Sequence, residues 1–96
     1  KKTVVLNLVV TGNTNIQTVG LRGEGNPLSW DKDFLMTPVV KDSLYTTTIT
    51  GETGYKFSEI KFTVNGEFEL QNKDNRKVFF SEGDTTVYNA VFNRYP

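Results

Sequence analysis

The 96-residue chain contains no cysteine and no histidine. The first absence excludes disulfides and thiolate-bound zinc, so the fold must stand on its own core. The second removes the commonest general base at neutral pH and the commonest metal ligand. Nucleophilic triads built on histidine go with it. An excess of charge is also lacking: eleven basic residues cancel eleven acidic ones, and neither sign forms a long run. A nucleic-acid-binding domain carries a basic surplus to displace phosphate counterions, so that class is set aside. Long apolar runs are missing as well. The longest, Val4–Val10, is broken by Asn7 and far too short to insert into a bilayer. Nowhere do apolar residues recur at the three-to-four spacing of an amphipathic helix.

What the chain does have is alternation. From Tyr55 to Val64, Lys56, Ser58, Ile60, Phe62 and Val64 fall on one face, and Tyr55, Phe57, Glu59, Lys61 and Thr63 on the other. That is the period of a strand. Asn65-Gly66 follows, the strongest short hairpin signal because both residues tolerate positive φ. A return strand carries Phe68 and Leu70, and the chain leaves it through the polar loop Asn72–Arg76. Such a ribbon presents Lys61, Phe68 or Glu69, and Asn75 near one another. Trp30, the only tryptophan, lies upstream in a turn-rich loop able to fold over the same edge.

Further strands are read over Thr3–Val10, Ile16–Arg22, Ser43–Thr50, Lys77–Phe80 and Thr85–Phe92. Val5 and Val9, on the second face of the first of these, suggest a strand covered on both sides for part of its length. Pro38 lacks a ladder donor, so Phe34–Val40 is an edge strand or extended loop. Seven to eight short strands with frequent turns predict an immunoglobulin-like antiparallel β-sandwich. Residues 1–96 have room for one domain only. A chain that starts without methionine and shows no signal peptide reads as a fragment of a larger multidomain protein.

Three catalytic or ionic arrangements are weighed and set aside. Glu67 and Glu69 share a strand face, about 7 Å apart, but nothing suggests a cleft to shift either carboxylate. Asp31 and Asp33, with Glu24 or Asp42, lack a full calcium-loop pattern. Gly20, Gly23 and Gly25 imitate a nucleotide loop, yet no helix follows to supply its dipole.

The order of short motifs carries a resemblance. An L-x-W loop at Leu28-Ser29-Trp30 precedes a Y-x-x-x-I strand at Tyr45–Ile49. Ile60-Lys61-Phe62, Phe68-Glu69 and Asp74-Asn75-Arg76 follow. Together they resemble the starch-binding domains of carbohydrate-binding module family 20 and the related glycogen-binding modules, over nearly the whole chain. The resemblance implies an immunoglobulin-like sandwich appended to a larger enzyme, with no cofactor. By position it makes Trp30 the first aromatic platform, Lys61 the binding lysine, Asn75 the binding asparagine and Glu69 the acid beside the second platform. Arg76 is then structural. The second platform is usually tryptophan and stands closer to the asparagine, which leaves Phe68 open between platform and core residue.

The chemistry of sugar binding needs little more than this set. An aromatic ring covers the C–H face of a glucose unit, while ammonium, amide and carboxylate groups bind its hydroxyl rim. Each residue also has a plainer use. Trp30 is core, Lys61 pairs with Glu59 or Glu69 across the hairpin, and Asn75 shapes its own turn. The function expected is a non-catalytic module for α-glucans such as starch or glycogen. It would serve other domains of an extracellular, periplasmic or cell-surface parent. The alternative is the same sandwich without a sugar site, used for interdomain packing or protein–protein interaction.

Overall fold

The structure, a computed structural model, describes residues 1–13, 15–52 and 54–95. Nine strands run in chain order: β1 Lys2–Val9, β2 Val19–Gly23, β3 Phe34–Leu35, β4 Thr37–Val40, β5 Leu44–Gly51, β6 Phe57–Val64, β7 Glu67–Phe68, β8 Arg76–Phe79 and β9 Thr85–Val91. They form two sheets, β4-β5-β1-β9 and β3-β2-β6-β7, with β8 pairing the first half of β6 beyond β7. The protein is an all-β sandwich, and no described residue is helical.

Alternation decides what lies between the sheets. Val4, Leu6 and Leu8 of β1 meet Leu21 of β2 and Ile60 and Phe62 of β6 in one core. Burying a side chain of this size stabilises by roughly 1.5–3 kcal/mol each. Val5 and Val9 are only half-buried, flanked by their cross-strand partners Thr48 and Val87, and Leu44 and Val91. Almost every pairing is antiparallel. The exception is β1 with β9, parallel from Thr3 opposite Thr85 to Val9 opposite Val91. Parallel neighbours need a long crossover, and here nearly the whole chain supplies it. Pro38 sits in the edge strand β4, where a bulge separates it from Val40, as the missing donor requires.

The hairpin is a two-residue turn between Val64 and Glu67 with Asn65 at φ 52° and Gly66 at φ 81°, the twist-matched type I′ geometry. Asn65 has a second use. Its Oδ1 accepts from the amides of Gln17 (2.7 Å) and Thr18 (3.1 Å), and its Nδ2 donates to the carbonyl of Asn15 at 3.0 Å. The side chain occupies this segment's hydrogen bonds, which is why β2 begins at Val19 and not at Ile16. Asn65→Ala should lose about 1–2 kcal/mol, from the strained φ and the lost clamp. At this size that is a fall in Tm of several degrees, on the order of 4–8 °C per kcal/mol. Asn65→Gly should recover the backbone part alone, so a melt of all three proteins separates the two contributions.

Candidate functional site

The outer face of the second sheet carries most of the candidates. Ile60, Phe62 and Val64 of β6 point into the core, so Phe57, Glu59, Lys61 and Thr63 point out. Arg22 of β2 stands directly opposite Lys61, and Phe68 of β7 directly opposite Thr63. This register settles Phe68: it is an outward, half-buried ring and not a core residue.

The loop after β2 brings Trp30 to the same place. Leu28 is buried in the core and anchors the loop. Ser29 accepts the Asp31 amide at 3.0 Å, and Arg22 Nη1 donates to the Trp30 carbonyl at 2.9 Å. The Trp30 and Phe68 rings consequently lie 6.3 Å apart between centroids, tilted by 47°, a favourable aromatic geometry. The guanidinium of Arg22 sits 5.0 Å over the Phe68 ring and is held there by Asp33, whose Oδ1 accepts from Arg22 Nε at 2.7 Å. Asp33 also accepts from the Thr63 hydroxyl at 3.0 Å. It lies flat on the sheet because Gly20 is beneath it, where an added Cβ would be 2.8 Å from Asp33 Cγ. Gly20 is thus a packing requirement. At Gly23 a Cβ would meet the Glu59 carbonyl oxygen at 2.8 Å.

Lys61 is half-buried and donates to the carbonyls of Leu70 (3.0 Å) and Lys73 (3.1 Å), so it ties down the loop after β7 instead of pairing with an acid. One ammonium hydrogen remains for another acceptor. Asn75 Nδ2 donates to Glu59 Oε1 at 3.2 Å, linking it to the same outer face. Trp30, Phe68, Lys61 and Asn75 are therefore gathered on one surface.

Glu69 is not, and its expected ligand role is corrected. It is 1% exposed, and both of its oxygens are occupied. Oε2 accepts from Arg76 Nε at 2.6 Å and from the Phe62 amide at 2.9 Å. Oε1 accepts from Arg76 Nη2 at 2.8 Å and from the Asn93 amide at 2.9 Å. Neighbours on a strand face opposite ways, so once Phe68 points out its successor points in. Glu67, the other half of the carboxylate pair, is exposed at the strand end.

Neither the models of known protein families nor the curated proteins include a match to this chain. Among the described residues no three acidic side chains converge on a metal-sized site, and Asp33 is committed to Arg22 and Thr63. No helix among them is long and apolar enough to cross a membrane.

Sequence reasoning missed Arg22 and Asp33 as parts of this surface. The signal for Arg22 was available: it alternates with Leu21 and Gly23 in a strand whose other positions are apolar or small, so it had to face outward. Asp33 carried no such signal, because it lies in the loop before β3 and its partners come from two distant strands, β2 and β6.

Proposed function

We propose that this chain is a non-catalytic carbohydrate-binding module whose ligand, an α-glucan of the starch or glycogen kind, lies on the outer face of the second sheet. The observation that carries this reading is the Trp30–Phe68 ring pair, 6.3 Å apart on the same face as Lys61 and Asn75. Trp30 covers the apolar face of a glucose unit. Phe68, backed by Arg22, buttresses it, and the free hydrogen of Lys61 and the free carbonyl of Asn75 meet hydroxyls. Of the residues named by the resemblance, Glu69 supports this surface from within, by fixing the strand that carries Phe68.

A shallow, wet site of this kind gives roughly −4 to −7 kcal/mol, a Kd between about 1 mM and 10 μM. Such a domain works by raising the local concentration of polysaccharide at an attached domain. A parent that handles glycans outside the cell fits this use. The test is electrophoresis of the native protein through gels cast with and without amylopectin. Retardation by amylopectin alone is expected, and equal mobility in both gels would overturn the reading.

A second reading has its own observation. Leu35 of β3 and Val39 and Val40 of β4, consecutive edge strands of the two sheets, are more than half exposed. An apolar edge of this kind suits packing against another domain. The two readings use different surfaces. Val39→Lys should weaken a domain contact and leave mobility in amylopectin unchanged.

A further inference from the structure

A second aromatic pair stands on the same outer face, away from Trp30 and Phe68. Phe57 of β6 and Phe79 of β8 are direct cross-strand partners, with ring centroids 5.3 Å apart and planes tilted by 43°. Phe79 is 64% exposed, a large apolar ring that alternation with the buried Val78 turns to solvent. Lys77 Nζ lies 5.4 Å over the Phe57 ring, so one side of that ring is covered by a cation while Phe79 is left open. The fold does not need this exposed ring: Val78, between Lys77 and Phe79, fills the core position.

The two pairs are collinear. Phe57 and Thr63, the partners of Phe79 and Phe68, are six residues apart on one strand. At the rise of a strand that is about 20 Å. Between them the face is polar and nearly balanced in charge. Lys77 is opposite Glu59, Arg22 is paired with Asp33, and Asn75 is bonded to Glu59. Two aromatic patches joined by hydrogen-bonding groups of both signs suit a neutral, hydroxyl-rich chain and not a polyanion.

Resting on the reading above, we infer that Phe79, supported by Phe57, is a second sugar platform. One oligosaccharide then spans both pairs along β6. A mono- or disaccharide is too short to touch both, so the second platform is felt only by longer chains. The gain comes from linking two weak contacts in one ligand.

The experiment is calorimetric titration of the wild type and of Phe79→Ala with maltotriose and with maltoheptaose. Wild type should bind maltoheptaose about tenfold more tightly than maltotriose. Phe79→Ala should lose about that factor for maltoheptaose and nothing for maltotriose, because only the longer chain reaches it. An unchanged Tm should accompany the loss, since the ring is exposed. Wild-type binding that Phe79→Ala leaves unaltered for both sugars would overturn the second platform and spare the first. If the wild type bound neither sugar, the first reading would fail and the second platform with it.

Discussion

Arg76→Ala should destabilise the protein by about 3–5 kcal/mol, the loss associated with leaving one member of a buried ion pair alone. Both side chains are almost inaccessible, at 2% for Arg76 and 0% for Glu69. The pair does more than bond to itself. Glu69 accepts the amides of Phe62 and Asn93, and Arg76 Nη2 donates to the carbonyls of Val91 and Arg94, each at 2.9 Å. Four backbone groups from β6, β9 and the C-terminal segment thus bond to two side chains, and of these the Val91 carbonyl has a further partner, the Arg94 amide. The Arg76 guanidinium also lies 5.5 Å from the centre of the Phe62 ring. Among the described residues no buried side-chain nitrogen or oxygen is without a partner, so removing one member creates a vacancy where there was none.

Some buried pairs can be replaced by apolar residues at little cost. This one should resist, because Glu69→Leu with Arg76→Met still removes the partners of the Phe62 and Asn93 amides and of the Arg94 carbonyl, while the Val91 carbonyl keeps the Arg94 amide at 3.1 Å. Chemical denaturation of both single variants and the double variant tests this. The double variant should recover only part of either single loss, and full recovery would contradict the hub. Burial opposes the charge of Arg76, but its hydrogen bonds to Glu69 and Tyr88 and the Glu69 charge outweigh this, and its pKa is raised above the ordinary arginine value. For a base held above its unfolded value, stability is fully present below that value and is lost only as pH rises through the raised one. The Arg76 contribution should therefore be constant from neutral pH up to the ordinary arginine range.

The second large effect is on binding. Trp30→Ala should weaken α-glucan binding at least tenfold, equivalent to about 1.4 kcal/mol, and bring a weak site close to undetectable. Its cost in stability should be only about 1–2 kcal/mol, because the ring is half-buried and contacts Phe68 on one side. A core tryptophan would lose about 3–5 kcal/mol. The contact with Arg22 is made by the Trp30 carbonyl, which alanine keeps. Calorimetric titration with maltoheptaose beside a thermal melt separates the cases. A large fall in Tm would make Trp30 a packing residue.

The sandwich was legible because alternation is a local property. Val4, Leu6 and Leu8, or Ile60 and Phe62, announce a core face without any knowledge of partners. The Asn65-Gly66 turn was legible for the same reason. What stayed hidden needed pairing between distant segments. The parallel contact of β1 with β9 joins the two ends of the chain, and the Asn65 clamp reaches back to residues 15–18.

Glu69 shows a different kind of miss. Motif position placed it beside a platform, whereas the alternation of the return strand already set Phe68 and Glu69 on opposite faces. The local rule was the better guide. Lys61 was correctly read as outward, but its carbonyl partners, Leu70 and Lys73, lie in an irregular loop where Leu70 and Asn72 take positive φ. No periodicity forecasts such a loop. Phe57 and Phe79 were visible as aromatics, and only the register between β6 and β8 made them a pair.

The most direct test of a sugar-binding outer face is the fluorescence of Trp30, the only indole in the chain. The 96-residue chain is titrated with maltoheptaose, and with cellohexaose as a control for linkage. The account predicts a saturable change with maltoheptaose alone, with a midpoint between about 10 μM and 1 mM. A flat response to both sugars up to about 10 mM, beyond the weakest affinity such a site should have, would contradict it.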